Sequence, residues 1–201
     1  MRRACALIPL LLAGPAMAAC PDRLDLMQGI VLVQNGEHFR RADVEDTARG
    51  LMEVRLERPG TGEARSSITF YEHGLAASSE QTGSRIFRTA YRGDVGALDR
   101  LDELGEVSLS GEVTDSAGER RALALIAAYL GAGEYAMAEC RYATWQVRYA
   151  VASPGGEPAV FHMDFAPELG VVLAARQVDE AGREEPLFAY TWIGTRADVQ
   201  R

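Results

Sequence analysis

The sequence predicts a mostly β domain: a single antiparallel meander sheet with one short helix. Three observations predict it. From Ile30 onward apolar residues recur with a period close to two, clusters of turn-forming residues interrupt them at short intervals, and no linker, tandem repeat or low-complexity run divides the chain. The organisation expected is an export signal over residues 1–19 followed by one β domain over residues 20–201.

The elements follow in order. Residues 30–34 and 37–43 flank Asn35-Gly36, a pair that supplies the positive φ angles a two-residue hairpin turn needs. Met52, Val54 and Leu56 then alternate with Glu53, Arg55 and Glu57, which predicts a dry face on the first set and a wet face on the second. That run stops at Pro59-Gly60-Thr61-Gly62, before a strand carrying Ile68 and Phe70. Further strands are expected over 75–80, 84–91 and 106–114. Before the last of these, Asp94 is placed to cap a short helix in which Val95, Leu98 and Leu101 share a face and which ends at Gly105. Residues 120–130 carry two signals, since their Ala and Leu content favours helix while the alternation of Leu123, Leu125, Ala127 and Tyr129 favours strand. The hairpin-like turn before them selects strand.

The C-terminal third is the most aromatic. Trp145, Val147, Tyr149 and Val151 lie on one side of a strand, and Phe161, Met163 and Phe165 on one side of the next. A turn centred on Gly155 sets Tyr149 opposite Phe161 and Trp145 opposite Phe165. A slip of one residue would set the aromatics against the face of His162 and Asp164, and joining the large apolar side chains buries more surface than splitting them. A strand over 171–178 and a last strand over 187–193, with Phe188, Tyr190 and Trp192 on one side, complete the sheet.

Composition narrows the function. All 21 basic residues are Arg, which removes the phosphate-loop Lys, Schiff-base Lys and Ser/Lys nucleophile pairs together. At the N-terminus Arg2 and Arg3 precede an apolar run from Ala4 to Ala13 and small residues ending at Ala18, the pattern of an export signal. That run is about ten residues, too short to span a bilayer, and no transmembrane helix is expected in the mature chain. Cleavage before Cys20 leaves 19 Arg against 29 acids, a net charge of −10, which argues against nucleic-acid binding. The expected location is periplasmic or secreted. Two cysteines remain, and in an oxidising compartment Cys20 and Cys140 are expected to pair. The alternative is a lipoprotein anchored at Cys20, because Met17, Ala18 and Ala19 loosely match a lipoprotein processing site.

Two segments, GAGEYAMAECRY at residues 131–142 and FAPELGVVLAAR at 165–176, resemble stretches of the TapB-like secreted β proteins of unassigned function. Ala132, Gly133 and Tyr135 fill the first pattern, and Pro167, Gly170 and Val172 the second. The resemblance implies a strongly curved sheet, half-barrel or barrel-like, and no reaction.

Few residues point to chemistry. His38, His73 and His162 form no two-His motif and none lies near a cysteine at metal-ligand spacing, so no metal or cofactor is expected. His162 and Asp164 share a strand face, where they could form an acid/base pair or two metal ligands, but read first as its polar side; Asp43, Glu45 and Asp46 lack the Asp-rich loop with a central Gly that calcium needs and read as a solvated loop; the pairs Arg40-Arg41 and Arg120-Arg121 could anchor an anionic head group, but adjacent strand residues point to opposite faces and they read first as surface charge. No Ser sits in a nucleophile elbow. The positive signal is the aromatic set Trp145, Val147, Tyr149, Phe161, Met163, Phe165, Phe188, Tyr190 and Trp192, which reads either as core or as an apolar face for a hydrophobic small molecule or lipid. The function expected is therefore a non-catalytic binding module of the cell envelope. An adaptor that binds an envelope protein partner and a hydrolase-type enzyme remain open.

Overall fold

The computed structural model describes residues 20–153 and 156–199. Among these residues thirteen strands form one antiparallel sheet: β1 (Ile30–Gln34), β2 (His38–Thr47), β3 (Gly50–Pro59), β4 (Arg65–His73), β5 (Ala76–Thr82), β6 (Arg85–Arg92), β7 (Glu106–Asp115), β8 (Arg120–Met137), β9 (Cys140–Ala152), β10 (Ala159–Ala166), β11 (Val171–Val178), β12 (Glu184–Ala189) and β13 (Trp192–Thr195). Each strand from β1 to β11 pairs with the next in sequence, and β13 pairs with β1. The meander is as expected. The expectation of strong curvature is corrected, because the sheet is neither closed nor strongly curled. Its two end strands, β12 and β13, follow one another along the chain and have no ladder between them. At their junction the Tyr190 N–H donates to the Leu173 carbonyl and the Thr191 N–H to the Val33 carbonyl, so the chain crosses from the edge of β11 to the edge of β1.

The first hairpin forms with a different turn. Gln34 pairs with Arg40, leaving residues 35–39 between paired positions instead of two. Burial explains the change. The observed register sets Ile30 opposite Val44 and Leu32 opposite Ala42, all four fully or almost fully buried, whereas a two-residue turn would set Ile30 opposite Arg41.

The short helix is where it was expected, as a 3-10 turn over Val95–Arg100 running into α1 (Leu101–Leu104), with Val95, Leu98 and Leu101 buried. Asp94 occupies the N-cap position but its side chain makes no capping bond. Gly105, at φ +76°, ends the helix in a backbone conformation that glycine adopts without strain. Residues 120–130 are strand, and β8 runs on to Met137 past a bulge that leaves Leu130 exposed. The last expected strand is instead two, split at Tyr190 and Thr191.

Two groups of buried side chains form the core. One gathers Leu26, Ile30, Leu32, Val44, Met137, Tyr142, Leu173 and Ile193, and the other gathers Leu75, Leu98, Leu101, Leu125, Val147 and Phe165. The disulfide joins Cys20 to Cys140, 120 residues apart, and pins the start of the described chain to the first residue of β9. In the chain-entropy view a cross-link over such a loop contributes roughly 4 to 5 kcal/mol. Disulfides of this kind belong to oxidising, extracytoplasmic compartments. The export signal expected over 1–19 lies outside the described residues.

Candidate functional site

The aromatic hairpin has the expected register. Phe161 pairs with Tyr149, Met163 with Val147 and Phe165 with Trp145, so these side chains share one face of β9 and β10; Pro154 and Gly155, on which the turn was placed, lie outside the described residues. In β11, Ala175 pairs with Met163 and with Phe188 of β12, which carries the same face across four strands.

That face forms one wall of a cavity of about 580 Å³. Tyr149, Phe161, Met163, Val172, Ala175, Phe188 and Tyr190 line it, and Leu187, exposed at a bulge of β12, stands at its rim. Of the other residues expected on this face, Trp145 and Phe165 line a second cavity, Val147 is fully buried, and Trp192 lines neither. Trp192 turns away because the strand breaks after Ala189: in β13 it is Ile193 that pairs with the cavity-lining Leu32, which sends Trp192 to the opposite face.

The opposing wall comes from β2, β3 and β4, and it is charged. The side of β3 that faces the cavity is Leu51, Glu53, Arg55 and Glu57, not Met52, Val54 and Leu56, so the expected dry and wet faces are reversed. Glu53 is 9% exposed while Leu56 is 39% exposed. Burying these charges is tolerable only because they satisfy one another. Arg55 Nε lies 2.7 Å from Glu53 Oε1, and the Tyr71 hydroxyl donates to Glu53 Oε2 at 2.7 Å. Arg40, expected on the surface, is inside, with Nη1 2.8 Å from Glu57 Oε1, Nε donating to the Tyr190 hydroxyl at 3.0 Å, and its guanidinium 3.7 Å from the Phe188 ring centre. Arg40 thus stitches the charged wall to the aromatic one through a cation–π contact.

The protonation states follow from this packing. Burial alone pushes the Glu53 carboxyl up, but the charge and hydrogen bond of Arg55 and the Tyr71 hydroxyl outweigh it and hold Glu53 below its ordinary value. Burial and the Glu53 carboxylate push the Tyr71 phenol well above its ordinary value, and burial pushes Tyr190 up to about 12. At neutral pH Glu53 is therefore a carboxylate, and Tyr71 and Tyr190 are neutral phenols.

The second cavity, about 500 Å³, is more polar and lies beside Trp145 and Phe165. Its notable group is His73, whose Nδ1 accepts the Leu75 N–H and whose Nε2 lies 3.6 Å from Asp99, with the ring 5.5 Å from Phe165. Burial lowers the His73 pKa in spite of Asp99. Neither His162 nor Asp164 lines either cavity; His162 pairs with Glu184 at 2.7 Å and the buried Asp164 with Arg176 at 3.1 Å, so the two do not form a pair with each other. Asp43 is held by Arg41 and Glu45 by Arg196, while Arg120 and Arg121 are surface residues paired with Glu112 and Glu119.

Among the described residues no group of three or more His, Cys, Asp or Glu could hold a metal ion, and no helix is long and apolar enough to cross a membrane. The Cys20 sulfur is bonded to Cys140 and so is unavailable for the thioether of a lipid anchor. No family model, no curated protein and no solved structure matches this chain.

Proposed function

We propose that this chain is an exported, non-catalytic binding module of the bacterial envelope, periplasmic or secreted, that holds a hydrophobic, lipid-like ligand in the larger cavity. The observation that supports it is the cavity's size and its apolar wall. About 580 Å³ falls inside the range of roughly 300–1,000 Å³ typical of small-molecule sites, and Phe161, Met163, Val172 and Phe188 give it a continuous apolar lining. The charged wall opposite is fixed by ion pairs and suits orientation of a ligand better than turnover of one.

A neutral naphthylamine dye that fluoresces in apolar surroundings tests this reading. Saturable enhancement at one dye per chain is expected, and Met163→Trp, which fills the cavity, should abolish it while circular dichroism and thermal midpoint show the variant folded. Dye binding that is absent, or that persists undiminished in folded Met163→Trp, would overturn the reading.

A further inference from the structure

The charged wall narrows the ligand class, an inference that rests on the binding reading above. Strand alternation places Arg40, Arg55 and Arg65 on the cavity side of β2, β3 and β4, and among the described residues lining the cavity Glu53 and Glu57 are the only counter-ions. The chain as a whole holds 29 acids against 21 Arg, so a surplus of guanidinium here reverses the sign of the molecule. Glu53 is taken by Arg55 and Tyr71, and Glu57 by Arg40. Arg65 sits directly opposite Glu57 in the β3–β4 register, yet among the described residues it forms no ion pair, because Glu57 is turned toward Arg40. Arg65 is exposed and lines the cavity, which places it at the mouth; Arg58, at the same rim, has its guanidinium 5.8 Å from the Phe39 ring centre and likewise no carboxylate partner among the described residues.

We propose that the ligand is an amphiphile with an anionic head group, its hydrocarbon part against Phe161, Met163 and Phe188 and its head at the mouth, against the Arg65 guanidinium. The physical reason is economy of charge. Exposed at the mouth, the Arg65 guanidinium stays hydrated beside a neutral head and repels a cationic one, whereas a carboxylate or phosphate accepts charge-assisted hydrogen bonds from Arg in a planar, two-pronged geometry. Arg40 and Arg55 are committed to the wall itself and Arg58 lies over the Phe39 ring, so the free donor is Arg65. The head group is defined by its charge and its position; a free fatty acid and an anionic lysophospholipid share that chemistry.

The test is displacement of the neutral naphthylamine dye from the full mature chain by five twelve-carbon amphiphiles that differ in the head: dodecanoate, dodecyl phosphate, lauroyl-lysophosphatidylglycerol, the neutral dodecyl maltoside and the cationic dodecyltrimethylammonium. All are used below their micelle concentrations. At least one anionic compound is expected to displace the dye about tenfold more tightly than the cation and the neutral compound. The ratio of anionic to neutral affinity should fall to within about twofold in Arg65→Gln and invert in Arg65→Glu, while Arg120→Gln, on the outer surface, keeps it. Which of the anionic compounds wins separates a free acid from a lipid head group. Dye binding with equal displacement by all heads, with displacement by none, or with a preference unchanged in Arg65→Gln would overturn this inference and leave the apolar cavity standing. A failure of the dye itself to bind would remove the binding reading and this inference with it.

Discussion

The two walls of the cavity are built on opposite principles. The wall from β9 to β12 is apolar and held by ring contacts, Trp145 with Phe165 at 5.9 Å and Tyr149 with Phe161 at 6.4 Å. The wall from β2 to β4 is charged and held by directed bonds, Glu53 between Arg55 and Tyr71, and Arg40 between Glu57 and Tyr190. An apolar wall tolerates loss of one member by losing area, whereas a charged wall is a set of mutually dependent groups in which losing one member strands another.

The two largest effects should come from stranding a charge on one wall and from emptying a core site near the other. Glu53→Ala leaves the Arg55 guanidinium without its closest partner and should cost about 3–5 kcal/mol by denaturant melting. Phe165→Ala, the matching deletion near the apolar wall at a residue 1% exposed, should cost a comparable amount, about 3–5 kcal/mol. The comparison is sharpened by the double variants: Arg55→Met added to Glu53→Ala should recover much of the loss, because the stranded charge is gone, while Trp145→Ala added to Phe165→Ala should recover none. Failure of Arg55→Met to rescue would show that the charged wall is not held together by compensation.

A smaller effect separates the walls by pH. Tyr71→Phe removes one hydrogen bond to the Glu53 carboxylate and should cost about 1.5–3 kcal/mol at neutral pH. Glu53 titrates below its ordinary value of 4.5 in the folded chain, so as the pH falls the unfolded chain takes up this proton first. The stabilisation from Glu53 is complete above about pH 4.5 and is lost as the pH falls through the folded value. The gap between the parent protein and Tyr71→Phe should accordingly be constant above that pH and narrow below it. A gap that widened toward acid would contradict the assignment of Tyr71 as a donor to the charged carboxylate.

The smallest effect tests the reversed faces of β3. Leu56→Gln should change stability by no more than about 0.5 kcal/mol, since Leu56 is exposed and lies on the side away from the cavity. A loss of several kcal/mol would return Met52, Val54 and Leu56 to the core.

The same contrast explains what was legible in the sequence. In β9 and β10 large apolar residues stand at alternate positions on both strands, so a one-residue slip would split them, and a turn centred on Gly155 selects the pairs Tyr149–Phe161 and Trp145–Phe165. In β3 alternation shows that the two faces differ, but not which of them is enclosed. That is decided by Tyr71, Arg40 and Tyr190, which arrive from β4, β2 and the junction after β12, and no local pattern around Glu53 or Arg55 announces them. The Asn35-Gly36 turn fails for a related reason: the local turn preference is outweighed by burial of Val44 and Ala42 against Ile30 and Leu32. Trp192 is lost to the break at Tyr190 and Thr191, where hydrogen bonds to Leu173 and Val33 end one alternation and begin another. Local periodicity was a sound guide wherever both partners were neighbours in sequence and apolar, and a poor one wherever charge was compensated at a distance.

The most direct measurement of the central claim is a crystal structure of the mature protein grown with dodecyl phosphate. A single hydrocarbon chain is expected in the larger cavity, in contact with Phe161, Met163 and Phe188, with the phosphate within hydrogen-bonding distance of Arg65. A cavity holding only water while the amphiphile lies elsewhere, or is absent at saturating concentration, would contradict it.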